Sequence, residues 1–205
     1  MHPDPAFRLD TATCRDIARA TAFAHLFVTG QRGSGVIHAP CTFDEAGDLR
    51  FHCSARNRVL PLLANARAIA SFSPVNGYVS PDWYDTAEQV PTWNYVAVEA
   101  EGRVEPLSRD ALIAQVDALG DEHEARLAPK PTWTRDKVPA AAYDRMIDAI
   151  HGFVIHVEAW RGTAKLSQNK PAADRAGVAD AFDSLGREDL AAAVRTALVA
   201  ASPLP

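Results

Sequence analysis

The clearest pattern in this chain is alternation. Over Leu49–Ser54, Leu49, Phe51 and Cys53 fall on one side and Arg50, His52 and Ser54 on the other, the period-two signature of a strand with one buried face. Ala22–Thr29 (AFAHLFVT) is short and rich in aromatic and apolar residues and predicts another strand. Gly30, Gly33 and Gly35 punctuate a turn, Val36–Ala39 begins the return strand, and Asp44–Asp48 with Gly47 marks the next turn. Ala68–Phe72, Tyr95–Val104 (through Val96, Val98 and Ala100) and Gly152–Trp160 (through Phe153, Ile155 and Val157) complete the predicted strands.

Helical spacing lies mostly outside these segments. Thr13 followed by Asp16 makes a capping-box-like start to a short helix containing Ile17. Val59–Ala66 is expected to be helical with Pro61 in its first turn. Leu112, Val116 and Leu119 share a face after a Ser108 cap, and Tyr143, Met146, Ile147 and Ile150 form a second stripe. After Pro171, Val178, Ala181, Phe182 and Leu185 form a stripe stopped by Gly186, followed by Leu190, Val194 and Leu198. The tail Ala201–Pro205 is expected to fray.

Strands joined by short turns, with helices inserted late and at the end, predict a mainly β chain with added helices (α+β), a small antiparallel β-barrel. The expected organisation is a barrel domain over residues 1–170, with helical insertions at about 108–150, and a helical extension over 171–205 packed on it. Strands do not alternate with helices, and no G-x-G-x-x-G or P-loop is present, which excludes the commonest nucleotide folds.

The chain has 205 residues, 47% of them apolar and 23% charged, enough for a real core. Its net charge of −5 does not attract nucleic acid or an anionic membrane. Cys14, Cys41 and Cys53 form no C-x-x-C pair, and their odd number argues against a disulfide framework. The opening MHPDPAFRLD has neither the basic start nor the apolar run of a secretion signal, and no apolar run is long enough to span a bilayer. A cytoplasmic protein with no membrane partner is the expectation. The charge is unevenly spread: Leu49–Pro81 contains no acid but holds Arg50, Arg56, Arg58 and Arg67, and Ala159–Ala173 contains no acid but holds Arg161, Lys165 and Lys170.

Candidate chemistry is concentrated in two places. Tyr78–Tyr95 (YVSPDWYDTAEQVPTWNY) is dense in aromatic rings and sets Asn94 between Trp93 and Tyr95. Lys165–Lys170 (KLSQNK) offers amides, a hydroxyl and two cations. Together they suit a planar ligand with an anionic arm. Equally, Trp83, Trp93 and Tyr95 can be barrel core and the lysine segment a polar loop. His123-Glu124 begins an H-E-x-x-H, but Leu127 stands where the second histidine belongs, and His38, His52, His151 and His156 lack ligand spacing, so no metal site is expected. No G-x-S-x-G elbow is present, and no catalytic side chain is assigned.

YVSPDWY (Tyr78–Tyr84), VPTWNY (Val90–Tyr95) and KLSQN (Lys165–Asn169), with Asp174 and Gly177-Val178 after them, closely resemble the PaiB-type FMN-binding negative transcriptional regulators of the split-barrel flavoprotein group. His38-Ala39-Pro40 and His52 through Asn57 are weaker matches, as are His123-Glu124 and Trp133. The resemblance implies an antiparallel split β-barrel of the FMN-binding type with C-terminal helices, forming a homodimer with FMN in clefts between subunits. It implies cofactor contacts from Ser54, Arg56 and Asn57 and from Trp93, Asn94, Lys165, Ser167, Gln168 and Asn169.

Two departures bear on cofactor affinity. The family's arginine in the His52 segment falls at Ala55, with Arg56 one place along, and its Glu-Gly-Lys before KLSQN is Arg161-Gly162-Thr163 here. Losing one phosphate-pairing cation costs on the order of 1.5–3 kcal/mol, so weaker FMN retention is expected. The implied function is a flavin-binding regulator. The alternative is a small FMN-dependent oxidoreductase or flavin reductase, and direct DNA binding ranks last because the chain lacks an extended basic face.

Overall fold

Each of the sequence-predicted strands is present, and most are longer than the apolar pattern suggests. The computed structural model describes residues 1–197. In chain order the elements are α1 (Thr11–Thr21), β1 (Phe23–Gly30), β2 (Gly33–Phe43), β3 (Leu49–Ser54), β4 (Arg67–Val79) and β5 (Thr92–Pro106). They continue as α2 (Arg109–Ala125), α3 (Ala140–Asp148), β6 (Ile150–Lys165), α4 (Ala172–Ser184) and α5 (Glu188–Thr196). The six strands form a closed antiparallel barrel in the order β1-β2-β3-β6-β5-β4. The fold is α+β, as the pattern predicts.

The chain divides into two compact units. Among the described residues, one comprises 15–72 and 99–160, and the other 1–14, 73–98 and 161–197. In the first of these, β1 pairs with β2 from Phe23 opposite Pro40 to Gly30 opposite Gly33, and with β4 from His25 opposite Ser71 to Thr29 opposite Arg67. β3 lies between β2 and β6, with Leu49 opposite Ile155 and Ser54 opposite Ile150. The alternation read over Leu49–Ser54 is reproduced: Leu49, Phe51 and Cys53 are buried. Phe51 stacks on Phe153 at 5.5 Å, and Leu26, Leu49, Phe72 and Ile155 are fully buried beside them. Each such side chain contributes about 1.5–3 kcal/mol of burial. On the outer side of β3, Arg50 pairs with Asp44 at 3.1 Å, and the His52 ring contacts the buried Gln115 of α2 at 2.9 Å.

In the second unit, α4 and α5 pack together and against the end of β4. Val178, Phe182, Leu190 and Val194 are buried, with the Trp83 ring edge-on to Phe182 at 5.4 Å. Gly77 is the point of closest approach, where an added Cβ would stand 2.5 Å from Leu190 and 3.1 Å from Phe182. Gly186, at φ +69°, ends the first of these helices in the left-handed conformation that a helix stop demands. Leu198 and the tail 201–205 lie outside the described residues.

Several expectations are corrected. Val59–Ala66 is no α-helix but a single 3-10 turn at Leu60–Leu62. Asn65 is left-handed at φ +56°, which ends any helix there, and Asn57 Oδ1 accepts the Val59 N–H at 2.9 Å, turning the chain before it. Val59, Leu63 and Ala66 are nevertheless buried, which explains the helix-like spacing. The first helix is capped by Asp10, whose carboxylate accepts the Thr13 N–H at 2.9 Å and the Thr13 hydroxyl at 2.8 Å, so Thr13 is not the cap. The stripe at 143–150 is broken: Ile147 is buried, Met146 is exposed, and Ile150 already opens β6. Leu185 likewise ends its helix exposed. Cys14, Cys41 and Cys53 are buried and free, and burial, with the Asp10 charge adding, pushes the Cys14 thiol up to about 11.

Two measurements test this account of the barrel unit. A Cβ at Gly102 would stand 1.9 Å from the His156 carbonyl oxygen, so Gly102→Ala should lower stability by at least about 2 kcal/mol in urea unfolding. His156 Nδ1 meets Asp48 at 2.6 Å and Nε2 meets Glu105 at 3.4 Å. The hydrogen bond to Asp48, aided by the charges of Asp48 and Glu105, holds the imidazole pKa above its ordinary 6.5. This stabilisation is fully present below about 6.5 and is lost as pH rises through the folded value. The urea midpoint should fall over that window, and Asp48→Asn should flatten the fall.

Candidate functional site

The segments singled out by sequence at 78–95 and 165–170 meet within one unit. β5 opens at Thr92, and its alternation sends Thr92 and Asn94 to one face and Trp93 to the other. Asn94 is 1% exposed and reaches the turn after β6: its Nδ2 donates to Ser167 Oγ at 3.0 Å, and Ser167 Oγ lies 3.3 Å from Asn94 Oδ1. Ser167 adopts φ +61°, an uncommon conformation for a residue other than glycine, Asn or Asp. Gln168 holds that turn from within. Its Oε1 accepts the Leu166 N–H at 2.7 Å, while its Nε2 donates to the Ala164 carbonyl and, at 3.4 Å, to that of Ala6.

Around this turn lies a cleft of about 150 Å³ lined by Tyr84, Gln89, Thr92, Asn94, Lys165, Ser167, Asn169 and Lys170, with Val90 at its edge. Its lining contains two cations and no carboxylate. The Lys165 ammonium donates to Thr92 Oγ1, and burial, with the Lys170 charge adding, lowers its pKa. Lys170 donates to Gln89 Oε1 at 2.6 Å and sits 5.3 Å over the Tyr84 ring. The Tyr84 hydroxyl is buried without a well-formed hydrogen bond; burial raises its pKa, the Ser167 hydroxyl opposes the shift and the Asp174 charge adds to it. Asp174, 1% exposed, accepts the Asp85 and Thr86 N–H groups at 2.9 and 3.0 Å. Burial works against its charged form, but the Thr86 and Asp85 hydrogen bonds and the Lys170 charge outweigh it and lower the pKa.

The structure thus brings Asn94, Lys165, Ser167 and Asn169 together in one cleft. Gln168 stands behind them with its amide committed to the backbone. Trp93 is 49% exposed on the opposite face of its strand, edge-to-face with Tyr78 at 6.2 Å. Ser54, Arg56 and Asn57 belong to the other unit, where they form the turn after β3: Ser54 Oγ accepts the Arg56 N–H at 3.2 Å, and Asn57 caps Val59. Tyr84, Gln89, Thr92 and Lys170 also line the cleft. The sequence carries a signal for two of them: Tyr84 closes the YVSPDWY motif, and Lys170 lies in the acid-free window.

Residues 1–159 match the family described as "Putative FMN-binding domain". The chain belongs to that family. It is 32% identical over 106 residues to the Protease synthase and sporulation protein PAI 2 of Bacillus subtilis, a match covering 52% of this chain and 50% of that one. The chain therefore spans about half the length of the curated relatives it matches. Among solved structures, a conserved hypothetical protein of Mycobacterium tuberculosis superposes with TM-score 0.58 at 14% identity, covering 83% of this chain and 94% of that one. The FAD and heme binding protein of Mycobacterium smegmatis gives TM-score 0.56 at 17% identity, covering 76% and 71%. At these identities the likeness is one of fold alone, an antiparallel barrel with added helices. FMN is the cofactor that the family assigns to this domain.

The cleft depends on Asn94 as a structural clamp as well as on its surface. Asn94→Ala strands the buried Ser167 hydroxyl and should cost about 1–3 kcal/mol in urea unfolding, whereas Lys165→Ala should leave stability within about 0.5 kcal/mol.

Proposed function

We propose that this chain is a flavin-binding regulatory protein of the PaiB type, in which the cleft at Lys165 and Lys170 receives the phosphate arm of FMN. The observation that carries this reading is the acid-free lining: two ammonium groups, one of them partly desolvated, beside the Thr92 and Ser167 hydroxyls and the Asn94 and Asn169 amides. That donor set fits a dianionic phosphate, because a cation removed from bulk water gains most from an anion that replaces its lost hydration. Once bound, FMN supplies the redox-active ring; the protein's residues bind, orient and neutralise it.

The cleft holds about 150 Å³, well below the roughly 300 Å³ at which pockets begin to enclose a drug-sized ligand. One chain therefore accommodates only an end of the flavin. This supports a homodimer in which a second copy completes the site, as does the half-exposed pair Tyr78 and Trp93. Ser54, Arg56 and Asn57 remain flavin contacts by resemblance, to be assessed separately by Arg56→Ala. No helix among the described residues is long and apolar enough to cross a membrane, in keeping with a cytoplasmic setting.

The test compares FMN with riboflavin, which lacks the phosphate, by quenching of flavin fluorescence. Lys165→Ala and Lys170→Ala should each weaken FMN roughly tenfold, the loss of one charge-assisted hydrogen bond, and leave riboflavin unchanged. FMN affinity unaltered in both variants would remove the phosphate from this cleft.

A further inference from the structure

Two histidines that no spacing rule would connect face each other on the outside of the barrel unit. His25 of β1 and His38 of β2 are thirteen residues apart but directly opposite in register, with their Nδ1 atoms 2.7 Å apart. Both side chains are exposed. The rings stand edge-to-face at 4.8 Å, the Phe23 ring meets His25 at 6.3 Å, and Phe27 is half-exposed two residues along the strand. Only one proton fits between two imidazole nitrogens this close, so at least one Nδ1 presents a lone pair to the other.

We propose that His25 and His38 form a cross-strand chelate for a divalent late first-row transition ion, of the class Ni²⁺, Cu²⁺ and Zn²⁺. Imidazole nitrogens bind these ions at about 2.0–2.1 Å, which sets two cis ligands roughly 2.9 Å apart in square-planar and 3.3 Å in tetrahedral geometry. The observed 2.7 Å separation lies a few tenths of an ångström from the first value, and both side chains are exposed, so the rings can turn their lone pairs off the N···N line to converge on one ion. The ring that donates in the ion-free pair moves its proton to Nε2, leaving both Nδ1 lone pairs for the ion and no net charge on the rings. Antiparallel strand pairing holds the two backbones in place before the ion arrives, so little ordering cost remains on binding. Among the described residues no cluster of three or more His, Cys, Asp or Glu groups surrounds a common point. The remaining coordination positions therefore face solvent, which gives an open site of modest affinity.

The experiment is calorimetric titration of the apoprotein with Ni²⁺ and with Zn²⁺, together with Cu²⁺ electron paramagnetic resonance. One ion per chain is expected, with affinity falling about tenfold or more in either His25→Ala or His38→Ala. The double variant should lose little beyond either single one, because a chelate fails as a unit. The copper spectrum should show two equatorial nitrogens in the parent protein and lose that pattern in each variant, while His2→Ala and His123→Ala leave both readouts unchanged. Circular dichroism confirms that the variants fold. Parent-like affinity in either single variant, abolished binding in the His2 or His123 control, or no saturable binding by the parent protein would each overturn the site.

Discussion

The reciprocal contact between Asn94 and Ser167 is the constraint on which the cleft rests. Both groups are almost wholly withdrawn from water, so each polar atom needs its partner, and losing one costs more than the bond contributes. The contact ties the start of β5 to a loop whose backbone is already in an unfavourable conformation at Ser167. A serine at φ +61° persists only where surrounding contacts over-determine it, and Gln168 supplies the second anchor by using both ends of its amide on the backbone. Lys165, Asn169 and Lys170 are presented by a loop fixed at two points. Orientation of the cations is therefore settled before any ligand arrives, which lowers the ordering cost of binding an anion.

The electrostatics follow from that rigidity. Lys165 is held where burial disfavours its charge and where Lys170 repels it, and no carboxylate in the cleft wall relieves either effect. Asp174 is close enough to interact with both Lys170 and Tyr84, but it lies outside the cleft wall, with Oδ1 accepting the Asp85 and Thr86 N–H groups. The result is an ammonium whose unfavourable environment an anion would improve. The surface ion pairs elsewhere, such as Arg195 with Asp180 and Asp183, are solvated and internally balanced and add little.

Much of the fold was legible because alternation is a local signal. Leu49–Ser54 shows its own boundaries, since a half-buried strand writes its pattern residue by residue. Strand ends were harder: β4 runs on to Val79 and β6 to Lys165 through small and polar residues that carry no apolar period. The 59–66 segment looks helical because three buried apolar residues fall at helical intervals, while Asn65, whose left-handed backbone stops a helix, is a weaker signal than the pattern it interrupts. At the cleft, the motifs named segments that the fold brings together, but side-chain direction was not carried by them. Trp93, the most conspicuous residue of VPTWNY, faces away from its neighbour Asn94, and Thr92, which went unremarked, lines the cleft.

That last contrast bears on how aromatic-rich motifs should be weighed. A tryptophan beside an asparagine invites the reading that the ring stacks on a ligand while the amide bonds its edge. On a strand the two side chains are sent to opposite faces, so a single chain can use only one of them at a given pocket. Here the amide serves the cleft and the ring joins Tyr78 on the other face, half in water. Two half-exposed aromatic rings in edge contact leave apolar area that water does not favour, and burial against another apolar surface would recover about 25 cal/mol for each Å² covered. Trp93 thus presents apolar area to solvent while Asn94 shapes the cleft, although the two are adjacent in the chain.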